Sequence, residues 1–185
     1  MDLILQRYNK TKYLSKNNQN IKRIDTIRNL YPNSKILIPF REPLQQANSL
    51  LKQHKKFINI NKSNKFVSKY MSYICHSEFG PNYEILSKKD LVYVDDLCIN
   101  HWLEQWYLIY LDLSDRFLNS KNINFICYET LNDSESRFYD FIEDTDLKKI
   151  KQFNFINSNI KINSAYDKNL YEKCKKIYEK LKNTI

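Results

Sequence analysis

The sequence predicts an α/β fold: a short parallel sheet crossed by helices, rich in helix, within one domain of residues 1–185. Three observations predict it. Helix, turn, strand and helix follow one another around Lys35–Phe40, the rhythm of a parallel sheet with crossover helices. A second short apolar run, Asn122–Tyr128, follows the longest amphipathic segment. The chain holds one glycine, Gly80, and four prolines, too few for the tight turns of a hairpin-rich β architecture. With 185 residues, 42% of them hydrophobic and 28% charged, there is enough apolar material for one sizeable core and too little for two.

The elements can be justified in order. Residues 2–9 suit a short helix and Tyr13–Ser15 a brief strand, followed by the polar turn Lys16–Asn20. Ile21, Ile24, Ile27 and Leu30 recur at helical spacing, giving a helix over about 20–30 that Tyr31–Ser34 ends. After the strand Lys35–Phe40, Pro43 opens a helix to about Phe57, with Ala47, Leu50, Leu51 and His54 inward. Asn59–Asn64 forms a polar break before a helix over roughly 63–77, and Gly80-Pro81-Asn82 signals a loop. From 99 to 118, Trp102, Trp106, Ile109, Leu113 and Phe117 step by four, three, four and four, which places them on one face for core packing. Strand Asn122–Tyr128 follows. Asn132–Asp133 then caps a helix of about a dozen residues carrying Phe138, Phe141 and Ile142. Residues 152–166 are rich in Asn and Ser and read as loop; 167–182 form the last helix, with Leu170, Tyr171, Cys174, Ile177, Tyr178 and Leu181 on one face.

The net charge of +9 favours anionic partners, among them a nucleotide, an acidic substrate, a membrane surface and nucleic acid. The lysines are dispersed, so a solvated basic surface fits better than a nucleic-acid stripe, and no nucleic-acid motif is recognisable. Cys75, Cys98, Cys127 and Cys174 form no C-x-x-C pair, so no metal site is suggested; a reduced, cytoplasmic protein is the expectation. No signal peptide and no apolar run of spanning length occurs, so no membrane span is expected.

The segment Lys35-Ile36-Leu37-Ile38-Pro39-Phe40-Arg41-Glu42-Pro43 through Ser49 carries the chemistry. A buried strand delivers Arg41 to its C-terminal edge, and Ser49 lies nearly two turns into the following helix, with Gln45 on the same face. A guanidinium, a hydroxyl and a helix N-terminus together suit an oxyanion, most naturally a phosphate. The same pattern also serves as a plain α/β connection whose arginine caps a carboxylate or a carbonyl. The residues alone leave both open.

This segment resembles the 3′-phosphate-binding element of sulfotransferases that use 3′-phosphoadenosine-5′-phosphosulfate (PAPS), in which a strand ends in Arg-x-Pro and a serine follows eight residues after the arginine. Residues 39–54, Pro-Phe-Arg-x-Pro-x-x-x-Ala-x-Ser-Leu-Leu-x-Gln-His, are similar to bacterial members of that group. Tyr13-Leu14-Ser15-Lys16 resembles the family's strand ending in lysine, and Phe125-Ile126-Cys127-Tyr128-Glu129-Thr130-Leu131 its strand–Tyr–Glu–(Asp/Thr)–Leu element. The resemblance implies a three-layer, parallel-sheet fold of the P-loop NTPase type and sulfuryl transfer from PAPS to a hydroxyl or amine. It implies Arg41 and Ser49 on the 3′-phosphate, Tyr128 beside the adenine and Lys16 near the leaving phosphate. His54, His76 and Glu78 are then the candidate bases, and no metal is called for.

One departure accompanies the resemblance. The family's glycine-containing loop for the 5′-phosphosulfate is missing, since the only glycine is Gly80. The expectation is therefore an N-terminally truncated member covering the C-terminal two thirds of the family fold. The loop would be lost or supplied by a second chain, and the alternative is a non-catalytic nucleotide-binding or interaction protein of the same fold.

Overall fold

Pro39 sits inside a strand yet leaves its ladder intact, because among the described residues β1 (Ile36–Phe40) pairs on one side only, with β2 (Ile123–Cys127). The computed structural model describes residues 2–87, 91–132, 138, 141 and 160–183. Among these, β1 and β2 form a two-stranded parallel sheet in the register Ile36↔Ile123 to Phe40↔Cys127. The architecture is α/β, with a small parallel sheet and mostly helix, as the sequence indicates. No helix among the described residues is long and apolar enough to cross a membrane.

The chain divides into two compact units, Met1–Ser34 and Lys35–Ile185. The first holds α1 (Asp2–Arg7), a 3₁₀ turn (Asn18–Arg23) and α2 (Ile24–Leu30). The Asn17 side chain caps the 3₁₀ turn by accepting the Gln19 N–H at 2.8 Å. The brief strand expected at Tyr13–Ser15 does not form: these residues are irregular, and Tyr13 and Leu14 are exposed. Among the described residues no strand neighbours this run to pair with its backbone groups.

In the second unit, α3 (Pro43–Ser63), α4 (Lys65–Tyr73), α5 (Ile99–Phe117) and α6 (Lys168–Asn183) accompany the sheet. Helices α3, α5 and α6 pack on one another pairwise. Their shared core contains Leu51, Leu103, Trp106, Leu113, Cys174 and Leu181, all buried. Phe40 at the end of β1 meets Tyr110 and Tyr178 edge-on, with ring centroids 6.4 and 5.7 Å away. The Tyr110 hydroxyl donates to the Pro39 carbonyl at 2.8 Å, so α5 is tied to the strand by a hydrogen bond as well as by packing.

Two boundaries differ from the sequence reading. Helix α3 runs through the polar stretch Asn59–Ser63, because Asn59 is exposed, Asn61 donates back to the Phe57 carbonyl at 2.8 Å and nothing there forbids helical backbone. The break comes at Asn64, whose side chain accepts the N–H groups of Phe66 and Val67 and so starts α4. Helix α4 stops at Tyr73, short of residue 77, because Cys75 takes a left-handed backbone (φ 53) and the His76 N–H returns to the Met71 carbonyl. The helix expected after Asn132 falls outside the described residues, apart from Phe138 and Phe141, which are helical.

Candidate anion-binding cleft

Strand β1 ends at Phe40, so Arg41 stands at the C-terminal edge of the sheet, and α3 begins two residues later with Pro43 at its first position. The parallel register brings Tyr128, just past β2, beside it. The Arg41 guanidinium carbon lies 5.2 Å from the centre of the Tyr128 ring.

Behind the arginine is a carboxylate network. Glu42 caps its own helix, one oxygen accepting the Gln45 N–H at 2.7 Å and the other the Tyr171 hydroxyl at 2.8 Å. The Glu42 N–H donates to Glu129 Oε1 at 3.0 Å, and that oxygen is 3.8 Å from Arg41 Nε. Glu129 Oε2 accepts from the Tyr178 hydroxyl and the Cys127 thiol, each at 3.2 Å. Burial first, and then these neighbours, push the Tyr171 and Tyr178 hydroxyls above their ordinary range, so both remain donors. The N-terminus of α3, expected to form part of an oxyanion site, has its Gln45 amide taken by the Glu42 carboxylate. The positive character of the site therefore comes from side chains.

Those side chains line one cleft of about 220 Å³. Arg41 stands at its head. Gln45, Asn48, Ser49, Lys52, Gln53 and Lys56 follow along one face of α3 at steps of three, one, three, one and three. The Gln45 amide is fixed by two bonds to the backbone of Ile160, which closes one wall. Ser49 to Lys56 spans about 10 Å of helix axis. Among the described lining residues there are three cationic side chains and no carboxylate. Such a cleft suits a phosphate or a ligand carrying several anionic groups.

The structure brings Arg41 and Ser49 together in the cleft and sets Tyr128 against Arg41. Lys16 is exposed in the N-terminal unit, just before the Asn17 cap. His54 lies on the buried face of α3, 1% exposed, between Tyr83 and Trp102. Its Nδ1 accepts the Gly80 N–H at 3.2 Å, which leaves the proton of the neutral ring on Nε2, 3.6 Å from Asp96. Burial holds His54 below the usual histidine range, outweighing the opposing pull of Asp96. His76 stacks on Phe57 (centroids 5.1 Å, planes 15° apart), about 21 Å along α3 from Pro43. Neither histidine lines the cleft, nor does Glu78 two residues beyond His76.

Sequence reasoning missed two groups of residues. Lys52 and Lys56 extend the Ser49 face by three and seven positions, a spacing visible in the sequence but hidden by the abundance of lysine. The second group lies on α5. Glu104 accepts the N–H groups of Val92 and Tyr93, Gln105 pairs with both backbone groups of Ser87, and His101 bridges the Tyr83 hydroxyl and the Tyr93 carbonyl. These buried side chains hold the segment leading into α5 and replace its missing backbone partners. Among the described residues, no group of three or more His, Cys, Asp or Glu is placed to hold a metal ion. No protein-family model, curated protein or solved structure matches this chain.

Proposed function

We propose that this chain is a sulfotransferase-like nucleotide-binding protein whose cleft takes the 3′-phosphate of PAPS or of its product, 3′,5′-adenosine bisphosphate. One observation carries the reading: Arg41 and Ser49, eight residues apart, line a single cleft with Lys52 and Lys56 and without a carboxylate in its described lining. In this reading Arg41 and Ser49 hold the phosphate, and Tyr128 both supports the guanidinium and borders the adenine. A P-loop-NTPase-like sheet of which β1 and β2 form part belongs to the same proposal.

Two activities share this site. The resemblance adds sulfuryl transfer to a hydroxyl or amine acceptor. Nucleotide binding without transfer is favoured by the positions of His54 and His76, since neither candidate base lines the cleft. Binding is the function that the geometry supports best. Calorimetric titration with 3′,5′-adenosine bisphosphate and with adenosine 5′-monophosphate tests it: the 3′-phosphate should raise affinity by roughly tenfold or more, as charge-assisted hydrogen bonds do. Equal affinity for the two nucleotides would remove the 3′-phosphate assignment. Adding PAPS with and without alcohol and amine acceptors then separates the activities, because transfer makes release of the bisphosphate depend on the acceptor.

A further inference from the structure

Helix α4 turns an apolar row to solvent. Phe66, Tyr70 and Tyr73 on the helix, and Ile74 that caps its C-terminus, are 76, 50, 86 and 46% exposed, at steps of four, three and one. Val67 and Met71, half-buried, occupy other positions of the helix, which packs against α3. Lys65 and Lys69 stand four residues apart beside the aromatic row, and Lys62 closes α3 immediately before it. The charge here is of one sign over a long stretch. Between Glu42 and Glu78 the chain carries Lys52, Lys55, Lys56, Lys62, Lys65 and Lys69 and no aspartate or glutamate.

We propose that α4 docks on an anionic lipid bilayer, lying flat at the headgroup level with its aromatic row turned inward and its lysines among the lipid phosphates. Charge complementarity selects an anionic partner. The exposed apolar row selects a bilayer over a dissolved anion, which would satisfy the lysines and leave the rings in water. It also weighs against a single-stranded nucleic acid. A single-stranded nucleic acid would stack on the rings alone and leave Ile74, which offers no aromatic face, in water. A nine-residue helix buries little area, so the attachment is reversible and sensitive to salt. The surface is independent of the Arg41 cleft and stands whether or not that cleft binds a nucleotide.

Co-sedimentation of the full chain with vesicles tests it, comparing pure phosphatidylcholine with three parts phosphatidylcholine to one part phosphatidylserine. The wild-type chain should sediment with the mixed vesicles and not with the neutral ones. Phe66→Ser/Tyr73→Ser and Lys65→Gln/Lys69→Gln should each weaken that binding by roughly tenfold or more. Absence of binding to the mixed vesicles, or equal binding to both kinds, would overturn the proposal. So would binding to a single-stranded RNA in place of vesicles. Should the aromatic variant lose its helical circular dichroism, the lysine variant decides: undiminished vesicle binding in it contradicts the proposal, and a tenfold loss upholds it.

Discussion

Arg41 and Tyr128 are 87 residues apart in sequence, and the parallel pairing of β1 with β2 sets the guanidinium carbon 5.2 Å from the centre of the ring. Each residue directly follows its strand, so the register Phe40↔Cys127 itself produces the contact. The ring supports a cation beside the cleft in a partly exposed setting, where such contacts contribute about 0.5–1 kcal/mol. Tyr128→Ala should therefore weaken binding of 3′,5′-adenosine bisphosphate by about two- to fivefold, whereas Tyr128→Phe should retain most of it. Calorimetry on the two variants checks this, and a hydroxyl-dependent loss would point to a different role.

Lys52, Lys55 and Lys56 lie within five residues on α3, but only Lys52 and Lys56 line the cleft. Exposed cations of this kind contribute about 0–1 kcal/mol each. Lys52→Ala/Lys56→Ala should lower nucleotide affinity several-fold and flatten its dependence on salt, while Lys55→Ala should leave both near wild type. If Lys55→Ala had the same effect, general surface charge rather than the cleft would be responsible.

His54 makes the fold sensitive to acid. Its ring is buried and accepts the Gly80 N–H, so the folded state favours the neutral form and holds the histidine below its unfolded value of about 6.5. The unfolded chain then binds more protons than the folded one between the two values. This contribution to stability is complete above the unfolded pKa and is lost as pH falls through it toward the folded value. Denaturant midpoints measured from pH 8 down to pH 5 should fall in the wild type. The decline should be shallower in His54→Gln, which starts from a lower midpoint.

Gly80 has φ +86, and a Cβ placed there would meet Phe57 Cβ at 3.3 Å. Gly80→Ala therefore adds backbone strain and a tight contact against α3, and should cost about 1–2 kcal/mol of stability. Urea unfolding measures it. Because Gly80 lies toward the far end of α3 from Arg41, nucleotide affinity should not change.

Much of this was legible in the sequence, for physical reasons that can be named. The apolar runs of β1 and β2, the five-residue aromatic and aliphatic ladder of α5 and the single face of α6 are local patterns that burial alone enforces. Arg41 and Ser49 were legible as a pair because a strand end followed by a proline-opened helix fixes their geometry. Tyr13–Ser15 was misread because strand formation depends on a neighbour that local sequence does not show. His54 illustrates the other limit. Its place on the inward face of α3 was visible, but its partner Gly80 is 26 residues away, so its packing role was not. Glu104 and Gln105 were silent for the same reason: their partners are backbone groups of Ser87, Val92 and Tyr93, which no side-chain pattern marks.

The most direct test of the cleft is the affinity of 3′,5′-adenosine bisphosphate relative to adenosine 5′-monophosphate, measured by calorimetry in the wild type and in Arg41→Ala. Loss of a charge-assisted contact to phosphate costs about 1.5–3 kcal/mol. The variant should therefore lose roughly ten- to a hundredfold in affinity for the bisphosphate and show little preference between the two nucleotides. An Arg41→Ala protein that still prefers the bisphosphate as strongly as the wild type would contradict the account.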